Sequence, residues 1–491
     1  MKALLKIHPS DNVAVATRDL HCGEYFEEFN LTLSQDIPKG HKVALQDIAA
    51  FNKVLKYGFE IGNTQQDVNA GQHVHSHNLK TNLSDGQAYC YAPHLSEVSE
   101  QQQATFKGFR RANGKVGIRN EVWIINTVGC VNRTAEKIAQ ICNQRFFGQA
   151  DAFVAFTHPY GCSQLGDDLN DTRAILASLL KHPNAGAVLV VGLGCENNQM
   201  AALLDAATGY DKARVRFYNS QQVGDEIETG VAAIAEMLPL LATDKRVDCP
   251  ASELVLGMKC GGSDAFSGIT ANPLVGKMAD RITQQGGTAL LTETPEMFGA
   301  EQILMNRAKN HQVFTQIVDL VNQFKQYFIE HNQPIYENPS PGNKAGGLTT
   351  LEEKSLGAIQ KGGQATVNQV LDYGQAVSSK GLVLLQAPGN DAVSSTALAA
   401  SGAHLVLFTT GRGTPLGFPV PTVKISSNSD LAARKPHWID FNAGMVLDGV
   451  SMDDCAEQFF NKLLSFASGQ QTKNEINACR EIAIWKRGVT L

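Results

Sequence analysis

The sequence lacks any run of about twenty apolar residues, although 43% of its 491 residues are hydrophobic. A helix that crosses a bilayer needs a run of about that length, so we expect no membrane-spanning segment. The chain also lacks an excess of positive charge. Its formal net charge of -6 excludes a global basic field of the kind that draws proteins to nucleic acid. A local pocket of Arg or Lys would still suffice to bind a small anion.

The ten cysteines include no CxxC pair, which argues against a zinc ribbon and a thioredoxin-type redox site. The first residues, MKALLKIHPSDNVAV, contain one short apolar stretch and lack the long apolar region and the cleavage site of a secretion signal. We therefore expect a cytoplasmic protein whose cysteines stay reduced. Glycine, by contrast, is abundant, and many of the 44 glycines follow apolar runs.

The N-terminal part of the chain alternates short apolar segments with turn signals. LLKIH and NVAVAT are strand-like, and HPSD, PKG and GNT separate such segments from one another. This pattern predicts a small β-rich domain over residues 1–93. The polar stretch that follows, residues 94–105, is predicted to be a linker.

Apolar runs that end in glycine dominate the rest of the chain. VWIINTVGC, AFVAFTHPYGC and AVLVVGLGC each precede a helix-compatible stretch, and ELVLGMKCGGSD and HLVLFTTGRGT repeat the pattern further on. A strand, a glycine turn and a helix in repetition are typical of a parallel α/β sheet. We predict an α/β protein with mostly parallel, Rossmann-like sheets in two subdomains, residues 106–248 and 249–491. Residues 334–357 are predicted to form a loop-rich, functional insertion.

Three histidines alternate with other residues in GQHVHSHN, at His73, His75 and His77. If this segment is a strand, the three side chains project from one face. Imidazoles suit iron, manganese, zinc and acid–base catalysis alike, so the triplet indicates a site without identifying its metal. A solvated strand face or a turn-stabilising cluster is the alternative. The three histidines also need not all be ligands.

Four cysteines follow apolar runs, at Cys130, Cys162, Cys195 and Cys260. The ends of parallel strands are where open α/β sheets bind ligands, so these thiols are candidate site residues. Each of them is equally compatible with an ordinary buried core position. Their number also permits an iron–sulfur cluster, although no dense cysteine spacing supports one.

Several polar glycine loops offer further candidates. The loop KCGGSDAFSGITANP contains Asp264, and its backbone N–H groups are suited to gripping a carboxylate. An Arg in a glycine turn, as in TTGRGTP, is a plausible bidentate carboxylate clamp. The GLGCEN turn lacks the G-x-G-x-x-G and P-loop patterns, so it gives little support to a nucleotide site. Each of these residues is equally compatible with an ordinary loop position. The candidates of this kind, besides Asp264, are Glu196, Lys344, Asn390, Asp391 and Arg412.

Long motifs in order along the chain resemble the altronate/galactarate dehydratase family. KYGFEIG with GQHVHSHN resembles its small SAF-type domain. RRANGKVGIRNEVWIINTVGCVN, THPYGCSQLGDD, CGGSDAFSGITANP, TETPEMFGAEQ and YENPSPGNKAGGLTTLEEKSLG resemble its large domain. The similarity covers essentially the whole chain, and the ending REIAIWKRGVTL is similar to the altronate branch of the family rather than the galactarate branch.

The resemblance implies a hydro-lyase that converts D-altronate to 2-dehydro-3-deoxy-D-gluconate and water in hexuronate catabolism. It also implies a divalent metal, Fe²⁺ with Mn²⁺ as a substitute. We expect a homodimer that acts on a small sugar acid and has no nucleic-acid or membrane partner. A galactarate dehydratase or a related hydroxy-acid lyase is the alternative within the family. A nucleotide-dependent oxidoreductase and a carbohydrate-binding protein are the alternatives outside it.

Dehydration of a 2,3-dihydroxy acid requires removal of the C2 proton and protonation of the departing C3 hydroxyl, with a metal offsetting the charge of the enolate. The histidines, Glu196 and Asp264 are the predicted catalytic residues. Lys344, Asn390, Asp391 and Arg412 are predicted to hold the substrate. The predicted metal ligands are His75, His77, Cys162 and Cys195.

Overall fold

The protein is described by a computed structural model that covers residues 2–83, 89–96 and 103–491. Residues 84–88 of the predicted first domain and residues 97–102 of the predicted linker lie outside the described residues. No helix in the described ranges is long and apolar enough to cross a membrane.

Short antiparallel strands build the N-terminal part, as expected from its alternating apolar and turn segments. One sheet has the strand order β1-β2-β5-β8, another the order β6-β7-β9, and β3 pairs with β4. The strands are β1 Leu4–Leu5, β2 Val13–Ala16, β3 Tyr25–Phe26, β4 Leu31–Thr32, β5 Lys42–Ala44, β6 Lys53–Lys56, β7 Phe59–Thr64, β8 His73–Val74 and β9 Leu79–Lys80.

The second part contains a four-stranded parallel sheet of order β13-β12-β14-β15 and a small antiparallel sheet of order β11-β10-β16. Its strands are β10 Thr105–Arg110, β11 Val116–Gly117, β12 Glu121–Asn126, β13 Phe153–Phe156, β14 Ala185–Gly192, β15 Val215–Asn219 and β16 Arg246–Pro250. Its helices are α1 Asn132–Arg145, α2 Gly166–Leu180, α3 Met200–Ala206 and α4 Glu226–Thr243.

Helices cover both faces of this sheet, which explains why its central strands are apolar throughout. Val122 and Ile124 of β12 belong to the core that α1 and α4 form on one face. Trp123 and Ile125, which alternate with them, belong to the core on the other face, where α2 and α3 pack.

The C-terminal part is built on a seven-stranded parallel sheet of order β19-β20-β18-β17-β21-β22-β23. Its strands are β17 Val255–Cys260, β18 Thr288–Leu291, β19 Val367–Leu371, β20 Gly381–Leu385, β21 Leu405–Thr410, β22 Thr422–Ser426 and β23 Phe441–Asn442. Its helices are α5 Ala271–Gln284, α6 Glu301–Met305, α7 His311–Glu330, α8 Pro341–Ala345, α9 Leu351–Ala358, α10 Asp391–Ala400, α11 Ser429–Arg434, α12 Met452–Ala467 and α13 Lys473–Ile476. The molecule is thus an α/β protein with a small strand-rich N-terminal domain, as the sequence predicts.

The predicted loop-rich insertion at 334–357 is wrong in part, because it contains α8 and α9. Thr350 caps α9 by accepting the backbone N–H of Glu353 with its hydroxyl, a typical helix start. The helix is buried along its whole length. Tertiary burial therefore supports a helix that lacks an amphipathic pattern in the sequence.

In each parallel sheet, the order in which strands are added reverses at the strand that comes first in the chain. β12 has β13 on one side and β14 on the other, and β17 has β18 and β21 in the corresponding positions. In open α/β sheets such switch points open a crevice at the carboxyl ends of the strands. The loops that follow β12, β14, β17 and β21 are therefore where ligand-binding residues are expected.

A buried ion network fixes the N-terminal domain to the C-terminal one. Glu353 of α9 accepts from Lys42 at 2.8 Å and from Lys56 at 2.7 Å, and all three side chains are fully buried or nearly so. Lys42 also donates to the Thr349 hydroxyl and the Gly347 carbonyl. This network holds β5, whose neighbour in the sheet is β8 of the histidine segment, against the residues that precede α9.

Candidate active site

Four imidazoles form a cluster on the N-terminal domain. The ring of His41 lies 5.0 Å from that of His73 and 4.8 Å from that of His75, measured between centroids. The rings of His73 and His77 are 5.3 Å apart. Pairing of β5 with β8 brings Val43 opposite His73 and so places His41 beside the triplet. The cluster therefore contains one histidine more than the sequence motif.

The triplet is not a continuous strand. Strand β8 ends at Val74, and residues 75–78 form a turn in which Asn78 donates its backbone N–H to the carbonyl of His75. Only His73 of the three histidines therefore lies in a strand, and the alternation of side chains along a strand does not explain the positions of His75 and His77. His75 and His77 reach the same cluster because the turn folds back, with the ring centroids of His73 and His75 5.5 Å apart.

Two imidazoles of this cluster, His73 and His75, are held in the neutral form. Burial lowers the pKa of His73 to about 3, and the neighbouring imidazoles lower it further in the same direction. Burial likewise lowers the pKa of His75 to about 4, with Lys42 adding to the effect. A neutral imidazole at pH 7 has a free lone pair, which can accept a proton or bind a metal ion.

Two backbone carbonyls of the C-terminal domain determine which ring nitrogens of His75 and His41 carry a proton. His75 Nε2 lies 3.0 Å from the Lys344 carbonyl, and His41 Nε2 lies 3.4 Å from the Ala345 carbonyl. A carbonyl only accepts, so each of these nitrogens carries the proton. His41 Nδ1 then accepts from His73 Nε2 at 2.9 Å, which leaves His73 Nδ1 unprotonated. The cluster is thus oriented by the neighbouring domain.

A cleft of about 360 Å³ lies at the switch point of the C-terminal sheet, next to this cluster. Lys39 of the N-terminal domain lines it together with residues from loops and from helix α11 of the C-terminal domain. Its volume is within the range of small-molecule sites, and its arginines suit a carboxylate. The other lining residues are Asp264, Phe266, Gly346, Gly411, Arg412, Asn428, Asp430 and Arg434.

Asp264 is fixed in this cleft by four side-chain and backbone donors. Its Oδ1 accepts from the Ser267 backbone N–H and hydroxyl, both at 2.9 Å, and from the Ser427 hydroxyl at 2.8 Å. Its Oδ2 accepts from the Asn428 amide at 3.0 Å. A carboxylate with this many donors is held in one orientation, so Asp264 organises the cleft wall that Gly411 and Asn428 share.

Replacement of Gly411 by alanine is predicted to disrupt this wall. A Cβ at Gly411 would lie 2.2 Å from Asp264 Cγ, so the carboxylate has to move. We expect kcat/KM to fall at least ~10-fold, since small displacements of positioned groups are costly in catalysis. Gly389→Ala is the matched control, because a Cβ there meets nothing within 4 Å. Equal steady-state kinetics for the two variants would contradict the prediction.

A second buried polar cluster lies where β17 and β18 end. Within the described ranges, one set of three His, Cys, Asp or Glu ligand atoms lies within 4.8 Å of one another, and it belongs to Cys260, Glu293 and Glu296. Cys260 Sγ lies 2.9 Å from Glu296 Oε2 and 3.6 Å from Glu293 Oε2. Thiolate and carboxylate are both established ligand types, so this geometry is compatible with a divalent metal.

Three ammonium groups balance the charge of this cluster. Lys361 Nζ lies 2.8 Å from Cys260 Sγ, and Lys354 Nζ lies 2.8 Å from Glu296 Oε1. Lys259 contacts both Glu293 and Asp391. Burial and the adjacent carboxylates raise the pKa of the Cys260 thiol to about 12, so it holds its proton at neutral pH. Metal binding would have to displace that proton.

The backbone at Glu293 is held in an unusual conformation. Its φ of +70° lies in the left-handed region, which a residue with a side chain adopts at a cost. The hydroxyls of Thr294 and Ser355, which adjoin Glu293 and Lys354 in the chain, are buried without a hydrogen-bond partner among the described residues. Strain and unpaired polar atoms in one place are typical of a ligand site.

The segment that contains α8 connects the two clusters. The carbonyl of Lys344 accepts from the histidine cluster, while the adjacent Asn343 accepts from Lys354 at 3.3 Å. Asn343 also donates to the carbonyl of Ser263, at the start of the Asp264 loop. The histidines, the cleft and the Cys260 cluster are therefore linked through one short helix.

The predicted substrate residues fall into two groups. Arg412 lines the cleft and donates to the Gly342 carbonyl at 3.1 Å, and Lys344 adjoins the cleft through Gly346. Asn390 instead caps α10, with its side-chain oxygen accepting two backbone N–H groups. Asp391 pairs with Lys259 at 2.9 Å in the Cys260 cluster.

The predicted ligands Cys162 and Cys195 lie at the carboxyl edge of the other sheet, after β13 and β14. They do not form a compact group of three ligand atoms with His75 and His77 among the described residues. Glu196 is buried there and accepts from the Thr127 hydroxyl and the backbone N–H groups of Leu193 and Gly194. Burial raises its pKa, but these hydrogen bonds outweigh burial and lower the pKa below its usual value.

Sequence reasoning missed His41, Glu293, Glu296 and the lysines around Cys260. His41 stands alone in PKGHKVAL, with no spacing signal. Glu293 and Glu296 stand in TETPE, directly after an apolar run. That position is the signal that could have identified them, because it is the same position at which the cysteines were selected.

Family models match three consecutive parts of the chain. Residues 2–82 match the altronate/galactarate dehydratase SAF domain, and residues 108–242 match the second domain of D-galactarate dehydratase/altronate hydrolase. Residues 251–490 match the C-terminal domain of D-galactarate/altronate dehydratase. The chain belongs to the altronate/galactarate dehydratase family.

Members of this family from two bacteria are similar to the chain over its full length. The altronate dehydratase of Bacillus subtilis (strain 168) is 53% identical, with 100% of each chain covered. The altronate dehydratase of Escherichia coli (strain K12) is 52% identical over 99% of each chain. The galactarate dehydratase (L-threo-forming) of Escherichia coli (strain K12) is 34% identical over 95% of this chain and 93% of its own.

Proposed function

We propose that the chain is an altronate dehydratase, a hydro-lyase that converts D-altronate to 2-dehydro-3-deoxy-D-gluconate and water. The observation that carries the proposal is the full-length identity of 53% and 52% to two altronate dehydratases, against 34% to a galactarate dehydratase. The cleft that contains Arg412 lies beside the neutral imidazoles of His73 and His75, which supports the proposal because the reaction needs an anion site and a proton acceptor together.

The reaction removes the C2 proton of the acid and expels the C3 hydroxyl as water. The electron pair of the C2–H bond forms the C2–C3 double bond of an enol, and the enol tautomerises to the 2-keto acid. We assign Arg412, which lines the cleft, to binding the carboxylate of the substrate. Lys39 reaches the cleft from the N-terminal domain and pairs there with Asp430 at 2.5 Å, so residues of both domains form the wall of the anion site.

Proton transfer is assigned to the histidine cluster. The lone pair of His73 Nδ1 is not used by the hydrogen bonds of the cluster, so this atom is a candidate proton acceptor. His75 is held by the Lys344 carbonyl at the side of α8 that adjoins the cleft, and His77 is the exposed member of the cluster. A side chain positioned in this way contributes about 10²–10⁴-fold to a proton transfer.

We further propose that the enzyme uses a divalent metal, Fe²⁺ with Mn²⁺ as a substitute, held by Cys260, Glu293 and Glu296. Two carboxylates and a thiol fit such a metal, and the strained Glu293 backbone supports a ligand at this place. This assignment replaces the combination of His75, His77, Cys162 and Cys195 that the sequence suggested. When bound, a divalent metal would act as a Lewis acid toward a carboxylate or hydroxyl oxygen.

Formation of 2-keto acid from three substrates tests the proposal. The purified chain, depleted of metal and then supplied with Fe²⁺, Mn²⁺ or neither, is incubated under reducing conditions with D-altronate, galactarate or sulfolactate. We expect turnover of altronate with Fe²⁺, a lower rate with Mn²⁺ and none without metal. The highest kcat/KM on galactarate or on sulfolactate would contradict the substrate assignment.

A variant of the proposed ligands separates the metal assignment from the substrate assignment. Glu296→Gln should lose the response to Fe²⁺ and the iron that the metal-depleted chain takes up from Fe²⁺ when no sulfide is supplied. Asp248→Asn, which removes an exposed carboxylate paired with Lys107, is the control and should keep both. Full iron binding in Glu296→Gln would contradict the metal assignment and leave the altronate assignment standing.

A further inference from the structure

Three cysteine loops meet at the carboxyl edge of the four-stranded sheet. Cys130, Cys162 and Cys195 follow β12, β13 and β14, which are adjacent in the sheet. All three thiols are free and exposed; of the other seven cysteines, four are buried, one is half-buried, and two, Cys22 and Cys90, are exposed. Cysteine is among the residues most often buried in proteins, so three exposed thiols at one edge call for an explanation.

Close contacts at glycines hold the Cys130 and Cys162 loops together. A glycine precedes each cysteine, and a Cβ at Gly129 would lie 2.8 Å from the His158 carbonyl oxygen. A Cβ at Gly161 would lie 2.1 Å from the Thr127 carbonyl oxygen, and one at Gly194 would lie 2.8 Å from Gln221 Oε1. Larger residues at Gly129 and Gly161 would therefore push the Cys130 and Cys162 loops apart, whereas the contact at Gly194 is with the side-chain end of Gln221, which follows β15.

Hydrogen bonds connect the three loops in pairs. The backbone N–H of Gly129 donates to the Tyr160 carbonyl at 2.9 Å, and that of Asn198 donates to the Gly161 carbonyl at 2.9 Å. The Asn198 amide also donates to the Thr127 carbonyl at 3.1 Å. Glu196, whose carboxylate joins Thr127 to the Cys195 loop, acts here as a positioning residue.

We propose that Cys130, Cys162 and Cys195 ligate an iron–sulfur cluster of the [4Fe–4S] type. The three loops are hydrogen-bonded to one another, and each brings one exposed thiol to the same edge of the sheet. Cysteine thiolates are the ligands that hold [4Fe–4S] clusters in proteins. Three loops from adjacent strands supply the ligands that dense sequence spacing supplies elsewhere.

The electrostatics of this edge favour such a cluster. Helices α1 and α2 begin just after the Cys130 and Cys162 loops, so the positive ends of their dipoles face the negative charge of thiolates and sulfides. Gln221 donates its amide to Cys195 Sγ at 3.5 Å, and hydrogen bonds to ligand sulfurs are known to tune these clusters. Three thiolates leave one iron of the four without a cysteine ligand from this edge, open to an oxygen ligand.

Anaerobic reconstitution of the full chain with Fe²⁺ and inorganic sulfide tests the proposal. We expect about four acid-labile sulfides per chain and about four irons in addition to the ion proposed at Cys260, with a broad absorption band in the visible range. Cys130→Ser, Cys162→Ser and Cys195→Ser should each lose most of the sulfide. Cys22→Ser, which removes an exposed thiol of the N-terminal domain, should lose none. Circular dichroism of each variant checks that it is folded.

Two outcomes would overturn the proposal. One is bound iron without labile sulfide in the wild-type chain, and the other is full cluster content in folded variants of all three cysteines. Cluster content is measured without substrate, so these outcomes are distinct from a failure of the altronate assay. The Glu296→Gln variant should keep its sulfide, because Glu296 lies in the C-terminal domain.

Discussion

His75→Ala should lower kcat on altronate by about 10²–10⁴-fold and leave the protein folded. The imidazole of His75 is half-buried in the cluster and fixed by the Lys344 carbonyl, so its loss removes an oriented group without opening a hydrophobic core. Burial lowers its pKa to about 4, and the imidazole is therefore already neutral at the pH of the assay. The measurement is steady-state turnover at saturating Fe²⁺ and at pH 7.

His21→Ala is the matched control for this variant. His21 is exposed on the same domain and lies 3.8 Å from Asp36, away from the cluster. Its turnover should equal that of the wild-type chain. If His75→Ala retained a near-wild-type kcat, His75 would take no part in the proton transfer. An increase in KM alone would assign His75 to substrate binding instead.

The sequence predicts the sheets of the molecule better than it predicts the contacts between domains. Buried parallel strands are apolar throughout, so runs such as VWIIN and LVLF identify β12 and β21 directly. The position of Cys260 at the end of β17 follows from the same pattern. Local composition is sufficient in these cases because both faces of each strand are covered.

The candidate site depends on contacts that no local pattern encodes. His41 joins the triplet through the pairing of β5 with β8, and Lys344 meets His75 across 269 residues of sequence. The chain motif alone suggested alternation along a strand, whereas a turn brings His75 and His77 to the cluster. Long-range strand pairing and domain docking decide which polar residues share a site. Neither of them produces a periodic pattern of residues that can be recognised in a single sequence.

The buried lysines illustrate the same limit. Lys42 and Lys56 stand in strands of the N-terminal domain, where an isolated lysine normally indicates a solvent-facing position. Both are buried because Glu353 of the C-terminal domain neutralises them. A charge that is buried through a partner about 300 residues away cannot be recognised before the domains are docked.

Glu353→Gln should destabilise the folded chain by about 3–5 kcal/mol, because it leaves two buried ammonium groups without a counter-charge. Neither Lys42 nor Lys56 can reach water when the domains are docked, since their side chains are 0% and 1% exposed. The measurement is the urea dependence of unfolding, followed by a probe of each domain. Glu457→Gln is the control: Glu457 pairs with Arg281 at the surface, and its loss should cost less than about 1 kcal/mol.

The same substitution should change the acid sensitivity of the protein. Burial raises the pKa of Glu353, but Lys42 and Lys56 outweigh burial and lower the pKa from 4.5 to about 2. A carboxylate with a lowered pKa contributes stability above pH 4.5, and this contribution is lost as the pH falls toward 2. The wild-type chain should therefore lose more stability than Glu353→Gln over this interval. Parallel curves for the two proteins would contradict the role of the network.

Loss of this network should also reduce turnover, although Glu353 contacts no part of the cleft. Lys42 is the first residue of β5 and directly follows His41, so the ion network and the histidine cluster share one strand. If the domains separate more readily in Glu353→Gln, the imidazoles and Lys39 leave the cleft together. We expect kcat/KM to fall in proportion to the loss of docking and to recover with a stabilising osmolyte. His75→Ala should not recover under the same conditions, because it lacks the imidazole itself.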